Sequence, residues 1–125
     1  MRYLLLIYSE ESTEPTPREE MDKIMGEYWA YEQAVGEAGV KQAGEALTPS
    51  STATSVRVKQ DGERVVTDGP FAETREVLGG FYLLDVPDLD AAIDWAARCP
   101  GAKYGTMEIR PIMEFDTGMS PPQGA

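Results

Sequence analysis

The residues whose types and spacing could do chemistry are concentrated in one polar segment, Asp68 to Glu76. Asp68 opens an Asp-Gly-Pro-Phe run. Its carboxylate can either accept backbone N–H groups in an Asx-turn or face a cavity at a sheet edge. In a buried cavity, a carboxylate can act as a general acid or base. Glu73 and Arg75, with Glu76, form either a solvated charged loop or a polar rim above a binding site.

Two further places could contribute to a site. Glu108 and Arg110 lie two residues apart in a predicted strand, so their side chains point to the same side. If that side meets another subunit, the two charges form an ion pair across the interface, or Arg110 orients a ligand. Tyr28 and Trp29 lie in a predicted long helix, where they either pack in the core and at its rim or contact a ligand.

Whole classes of chemistry are missing from the chain. No histidine occurs among the 125 residues, which excludes His-based nucleophile activation and the commonest metal ligand. Cys99 is the single cysteine, so it cannot form an intramolecular disulfide, and its position before Pro100 favours a packing role. No glycine run is followed by the Lys-Ser/Thr pair of a phosphate-binding loop. We therefore expect no metal and no cofactor.

The charge balance narrows the choice of partners. The chain has 22 acidic and 11 basic residues, which gives a formal net charge of −11. This balance argues against nucleic acid and against an anionic membrane surface, because both require a concentrated basic face. The apolar run from Tyr3 to Tyr8 is too short to cross a bilayer or to serve as a signal sequence. We expect a cytoplasmic protein, which also suits the lone cysteine.

The elements that must position these residues begin with a strand and a long helix. Residues 2–8 are apolar in both alternating sets, so both faces of this strand should be covered. Thr16 and Glu19 then predict a capping box with Thr16 as the N-cap. The helix should end near Ala38, with Gly39 as the C′ residue. Its predicted apolar stripe is Met21, Ile24, Met25, Tyr28, Tyr31, Val35 and Ala38.

The second half of the chain is predicted to contain mainly strands. An Asp61-Gly62 turn predicts a hairpin between residues 54–59 and 64–67, and residues 71–78 are predicted to form a loop. The other predicted elements are a weak strand over Val40–Leu47, a strand over Phe81–Val86, a helix over Leu89–Arg98 with Asp88 as N-cap, and a strand over Thr106–Phe115, in which Pro111 indicates an edge position or a change of partner strand. One domain should span residues 1–115, followed by a flexible Gly- and Pro-rich tail over residues 116–125.

The predicted order of elements is that of the ferredoxin-like α+β fold. In this fold an antiparallel sheet carries both helices on one face, and here a hairpin is inserted before the second half. The other face of the sheet is left open, although the first strand is apolar on both sides. Because no third helix is predicted, we expect a homodimer in which two sheets pack face to face.

The segment Asp68–Glu76 resembles the signature of the DGPF family, which is part of the wider YCII-related superfamily. The likeness extends over residues 1–115. The other matching stretches are Met1–Tyr8, Ala43–Leu47, Leu78–Tyr82, Trp95–Pro100 and Glu108–Pro111. The resemblance implies a ferredoxin-like subunit that dimerises as an α+β barrel. Some relatives are linked to alternative sigma factors, which implies a regulatory setting.

The chain departs from the wider YCII-related pattern at two positions. Members of that group carry a His in the first helix and an Asp before a Pro near the end of the second, a dyad suggested as an active site. The matching positions here are about Tyr28 or Trp29, and Cys99 before Pro100. The resemblance therefore carries over no His/Asp mechanism, and Asp68 is the acid that remains in the motif.

We interpret the chain as a homodimer that binds a small molecule between its sheet and the Asp68–Glu76 segment. One alternative is a cofactor-free enzyme of isomerase, lyase or oxygenase type, in which Asp68 is the acid or base and Arg110 orients an anionic substrate. A second alternative is an interaction module linked to transcription regulation. The enzyme hypothesis requires Asp68 to line a cavity, whereas the binding hypothesis requires an enclosed pocket. The candidate ligand-binding residues are Tyr28, Asp68, Phe71, Glu73, Arg75 and Arg110.

Overall fold

A four-stranded antiparallel sheet with two main helices on one face forms the body of the chain. The computed structural model describes residues 1–12 and 14–115. The strand order β2-β5-β1-β6, in which all neighbours are antiparallel, confirms the predicted ferredoxin-like α+β fold. The elements are, in chain order, β1 (Arg2–Ser9), α1 (Arg18–Glu37), β2 (Lys41–Ala46), β3 (Thr54–Val58), β4 (Arg64–Asp68), β5 (Val77–Asp85), α2 (Leu89–Arg98), α3 (Pro100–Tyr104) and β6 (Thr106–Pro111).

The inner strand β1 organises the hydrophobic core. Tyr3 and Leu5 are buried beneath the helices, where they pair with Leu84 and Tyr82 of β5. The ring of Tyr31 from α1 meets the ring of Tyr82 edge to face, with centroids 5.2 Å apart. The buried apolar side chains are Tyr3, Leu5, Tyr31, Val35, Tyr82, Leu84, Val86, Ala92, Ala96 and Cys99.

Helix α1 begins one residue later than the capping-box pattern predicts. Pro17 is the N-cap residue instead of Thr16, and no side chain among the described residues caps the first turn. The ψ angle of Pro17 is 144°, so the chain is still extended there and the Thr16 hydroxyl lies outside the helix. The helix ends as predicted, because Gly39 has a φ of 69° and the Val40 N–H donates to the Val35 carbonyl at 3.2 Å.

The apolar stripe of α1 is buried only in its second half. Tyr31 and Val35 are buried, whereas Met21 and Met25 are 43% and 60% exposed. Helical spacing therefore predicted the correct side of the helix and overestimated the length that packs on the sheet.

Strand β5 begins at Val77, well before the predicted start at Phe81. The loop predicted over residues 71–78 is shorter for the same reason. Gly79 and Gly80 continue the strand. A Cβ atom on Gly80 would lie 2.9 Å from the carbonyl oxygen of Glu45, so glycine at this position permits the close approach of β2.

Helix α2 confirms the predicted N-cap. A carboxylate oxygen of Asp88 accepts the backbone N–H of Ala91 at 2.9 Å. Ala96 is buried, but Leu89 and Ile93, which the spacing also places inward, are exposed. The alanine side of the helix is therefore the part that fits closely against the sheet.

Strand β6 is shorter than predicted and lies at the sheet edge. It ends at Pro111 instead of Phe115, and an edge position is the one that tolerates proline. The predicted tail, residues 116–125, lies outside the described residues. Across the part of the chain that the structure describes, no helix is long and apolar enough to span a membrane.

The predicted hairpin is present as a separate two-stranded sheet made of β3 and β4. Gly62 in the turn has a φ of 88°, which explains the glycine after Asp61. The chain leaves β4 through Gly69, whose φ is 100°, and returns to the body as β5.

Candidate functional site

The face of the sheet opposite the helices has an apolar centre. Leu4 and Leu6 of β1 pair with Leu83 and Phe81 of β5, and all four side chains are partly exposed. We call this surface the open face. An antiparallel sheet normally solvates such a face with polar side chains, so an apolar centre is unusual for a surface left to water.

A groove of about 530 Å³ lies at one end of the open face. It is bounded by the end of β1, the start of β6 and the residues that lead into β5. The side chains that line it are mostly polar: Tyr8, Glu10, Thr74, Arg75, Glu76, Thr106 and Glu108.

The strand register brings the walls of the groove together. β1 pairs Ile7 with Gly80 but Tyr8 with Leu78, so the ladder skips one residue of β5. Such a bulge increases the local twist and redirects side chains at a sheet end. On the other side of β1, Thr106 lies opposite Tyr8. Residues from three distant parts of the chain therefore meet at this corner.

Hydrogen bonds fix two of the carboxylates in the groove. The Thr106 hydroxyl donates to Glu76 Oε1 at 2.8 Å. The Tyr8 hydroxyl donates to Glu108 Oε1 at 3.4 Å, which is long for an O–H···O bond. The Thr74 hydroxyl donates to the backbone carbonyl of Glu76 and so holds the end of the loop.

An exposed ion pair lies in the wall of the groove. Arg75 Nε donates to Glu10 Oε1 at 2.5 Å, although the side chains are 89% and 57% exposed. Exposed pairs of this kind contribute about 0–1 kcal/mol, so Arg75 can exchange Glu10 for a ligand at little cost.

The groove has an excess of hydrogen-bond acceptors. Glu10, Glu76 and Glu108 face a single guanidinium, that of Arg75. Ionised carboxylates are acceptors only, whereas a guanidinium is a donor only. The arrangement suits a small polar molecule that presents several donors, such as amine or hydroxyl groups, with one acceptor directed at Arg75.

Three of the sequence-predicted site residues lie away from this groove. Asp68 ends β4 with an exposed side chain, and it lines neither this groove nor the one beside the hairpin. Phe71 is 91% exposed and borders that second groove, of about 570 Å³, together with Val65. Glu73 is also exposed. The catalytic role of Asp68 stays a prediction, and the burial that would favour such a role is absent from its surroundings.

The other three predicted residues are divided between the two faces of the sheet. Arg75 lines the groove, and Arg110 pairs with Leu4 on the open face. Tyr28 lies on the helix-covered side, where a Cβ atom on Gly101 would come within 3.3 Å of its hydroxyl. The structure therefore brings Arg75 and Arg110 to one face and separates Tyr28 from both.

Of the residues that match the positions of the suggested His/Asp dyad, Tyr28 and Cys99 lie in the hydrophobic interior, whereas Trp29, the alternative to Tyr28, is 66% exposed. Cys99 is buried in the core, and Tyr28 packs against that core. The pKa of Tyr28 is raised to about 12, mainly by burial and to a smaller extent by the neighbouring Cys99. Burial raises the pKa of the Cys99 thiol to about 11, with some opposition from a backbone hydrogen bond at Gly101. Both groups stay protonated near neutral pH, which suits packing better than proton transfer.

A second polar cluster stands at the edge of the same helix-covered side. Glu32 accepts from the Tyr82 hydroxyl at 2.8 Å and from Lys41 Nζ at 2.5 Å. Partial burial raises the pKa of Glu32, but the hydrogen bonds from Lys41 and Tyr82 outweigh it and the net pKa is lowered. The pKa of Tyr82 is raised, mainly by burial and to a smaller extent by the hydrogen bond to Glu32. The cluster attaches α1 to β2 and β5.

Sequence reasoning missed several residues of the groove. Tyr8, Glu10 and Thr106 are not among the predicted ligand-binding residues, although the acidic turn after an apolar strand was a usable signal. Their meeting depends on the β1–β6 register and on the bulge near Tyr8, and neither is visible in a local pattern. Within residues 1–12 and 14–115, no three His, Cys, Asp or Glu side chains are grouped so that they could hold a metal ion.

Comparisons with known proteins agree over nearly the whole chain. The family model described as the YCII-related domain matches residues 1–116. An uncharacterised protein of Rhizobium meliloti (strain 1021) is 38% identical over 124 residues, which cover 97% of this chain and 99% of that relative.

Proposed function

The chain belongs to the YCII-related family, and from this premise and the geometry above we propose that it is a homodimer that binds a small polar molecule. The binding site is the groove at the end of the open face, beside the Asp68–Glu76 segment. One observation carries the proposal: a polar groove with an ion pair in its wall adjoins an apolar sheet face that the chain's own helices leave uncovered.

The apolar centre of the open face supports the dimer. Leu4, Leu6, Phe81 and Leu83 would lose contact with water if a second sheet packed on them. Burial of apolar surface yields about 25 cal/mol per Å², and two sheets pack about 10 Å apart. A two-fold contact of this kind is isologous, so one surface serves both subunits. This arrangement is the dimeric α+β barrel that the family resemblance implies.

The dimer would also turn the groove into a pocket. In one subunit the groove is open to solvent. A second sheet lying on the open face would cover its apolar side and leave an entrance at the loop. Ligand sites are typically enclosed, and the covered groove would be enclosed while its own lining stays mostly polar.

Binding is favoured over catalysis by the surroundings of the acidic groups. The enzyme hypothesis needs a carboxylate shielded from water, because only such a group is suited to acid–base work near neutral pH. Asp68 and Glu108 are exposed, and Glu76 is half-buried with a hydrogen bond from Thr106. A reducing cytoplasm suits the single buried thiol of Cys99.

A thermal-shift screen tests the proposed site. The full chain is heated with each member of a panel of small polar metabolites that includes amines, amino acids and sugars. A ligand present at about a hundred times its Kd should raise Tm by about 5 °C or more. The same shift should be lost in Arg75→Ala and reduced in Glu76→Gln.

Matched variants make this screen specific. Arg18→Ala removes an exposed arginine from the start of α1, away from the groove and the hairpin, and should keep the ligand shift. Asp68→Ala should also keep it if the site is the groove. A shift that disappears in Asp68→Ala and persists in Arg75→Ala would place the ligand elsewhere and would contradict the proposal.

A further inference from the structure

The hairpin of β3 and β4 carries an apolar surface that its own chain does not cover. Val56, Val58 and Val66 are 62%, 61% and 62% exposed. Val56 pairs directly with Val66, and Val58 follows Val56 by two residues, so the three side chains lie on one face of the hairpin. We call this surface the valine face.

The hairpin is held to the body by little more than its two ends. Within the described residues, the hydrogen bonds of residues 54–68 stay between residues 53 and 69. They include the bond from the Ser55 hydroxyl to the Gly69 carbonyl at 2.8 Å. An isolated two-stranded hairpin is marginal in water, and an exposed apolar strand pair invites association. The hairpin therefore needs a surface to pack on.

We propose that this hairpin is an arm that packs on the second subunit of the homodimer, with its valine face against the body of the partner. This inference rests on the proposed homodimer and goes beyond it. It assigns an interface to residues outside the open face, and it identifies the occupant of the valine face as a second copy of this chain.

The area of the open face supports an additional contact. Four strands about 4.8 Å apart cover a width of about 19 Å, and about six residues per strand span about 20 Å, so the flat area of the face is about 400 Å² and side-chain relief makes its accessible area larger. A stable, specific interface usually buries about 800 Å² per partner. An arm with three exposed valines would add apolar accessible surface to the sheet contact and bring the interface closer to that size.

The distribution of charge lets the arm dock on a second copy. Residues 54–68 hold three basic and three acidic residues, so the net charge of −11 belongs entirely to the rest of the chain (−11 − 0 = −11). Two bodies with this charge repel each other when they pair. A neutral arm reaches the partner without adding to the repulsion. The charged residues of the arm are Arg57, Lys59, Asp61, Glu63, Arg64 and Asp68.

The arm is continuous with the wall of the groove. From β4 the chain passes through Gly69 to Thr74, Arg75 and Glu76, which line the groove. Docking of the arm on the partner would fix both ends of this short segment. The binding site of each subunit would then be complete only in the dimer, and dimer formation and ligand binding would be coupled.

Sedimentation equilibrium of the full chain tests the arm. Val56→Ser combined with Val66→Ser should weaken the dimer at least about tenfold in Kd, because each dimer loses four buried valine side chains. The matched control is Val65→Ser, which makes the same change on the opposite face of the same hairpin and should leave Kd within about twofold. An unchanged Kd in the double variant, or an equal loss in the control, would overturn the inference.

Hydrogen exchange tests the contact made by the arm separately from dimer formation. The amides of β3 and β4 should exchange at least about tenfold more slowly in the wild-type dimer than in the Leu6→Glu variant, which is expected to be monomeric. If the wild type is a dimer and these amides exchange equally fast in both proteins, the arm inference fails and the homodimer stands. If the wild type sediments as a monomer at micromolar concentration, the homodimer itself fails.

Discussion

The two faces of one sheet contrast sharply in this molecule. On the helix-covered face, Leu5 and Leu84 are completely buried. On the open face, their sequence neighbours Leu6 and Leu83 are only partly covered, although they belong to the same two strands. The chain therefore completes its core on one side only. The apolar centre of the second side is the feature on which the proposed homodimer depends.

Truncation of Leu84 should produce the largest loss of stability, and comparison with its neighbour Leu83 sharpens the contrast between the two faces. Leu84→Ala should lower the free energy of unfolding by about 3 kcal/mol, because it leaves a cavity in a core that cannot collapse. Urea denaturation followed by circular dichroism measures the change.

The control for Leu84 is the next residue along the strand. Leu83→Ala should cost less than about 1 kcal/mol at protein concentrations below the dimer Kd, and more as the concentration rises. Equal, concentration-independent losses in both variants would mean that the open face is already part of the subunit's own core, which would break the contrast.

Removal of a helix cap tests the helix-covered face more locally. Asp88→Ala should lower the free energy of unfolding by about 1 kcal/mol, because the Ala91 N–H loses its acceptor at the start of α2. Asp88→Asn retains a capping oxygen and should recover most of the loss. A cost near zero in Asp88→Ala would show that packing of Ala96 alone holds the helix.

The smallest effect on stability is expected from Glu32, in the polar cluster at the edge of the helix-covered face. The pKa of Glu32 is lowered in the folded chain, from an ordinary value of 4.5. As the pH falls, the unfolded chain therefore binds a proton at Glu32 before the folded chain does. The stabilisation by Glu32 is fully present above about pH 4.5 and is lost as the pH falls through the lowered pKa of the folded chain.

Thermal unfolding at several pH values measures this contribution. Between about pH 5 and pH 3, Tm should fall less steeply in Glu32→Gln than in the wild type. Because the side chain is partly exposed, the difference will be modest. Parallel pH profiles in the two proteins would show that Lys41 and Tyr82 do not stabilise the carboxylate.

Much of the fold followed from local patterns. The two-sided apolar run of β1, the Asp61-Gly62 turn, the Asp88 cap and the glycine at position 39 each predicted a feature that the structure contains. The errors lie where local signals compete with packing. Thr16 resembles an N-cap, but the extended Pro17 takes that position, and the Gly79-Gly80 pair continues a strand because β2 packs closely on it.

The candidate site was far less predictable than the fold. Arg75 was named because it lies in a charged motif, and it does line the groove. Tyr8 and Thr106 meet there because β1 and β6 are paired in one particular register, and that pairing joins residues far apart in the chain. Asp68 has the more conspicuous motif, yet its strand belongs to the hairpin and Asp68 does not line the groove. Long-range register decides which polar residues share a site.

The most direct test of the central claim is the mass of the protein in solution. Sedimentation velocity at about 10 μM should give the wild type twice the chain mass of 13.7 kDa, and Leu6→Glu should give the single-chain mass while it stays folded. The charge control Ala30→Glu, on the exposed side of α1, should remain a dimer. A folded wild-type monomer, or a Leu6→Glu variant that dimerises as well as the wild type, would contradict the claim that the open face is built to pack on a second copy.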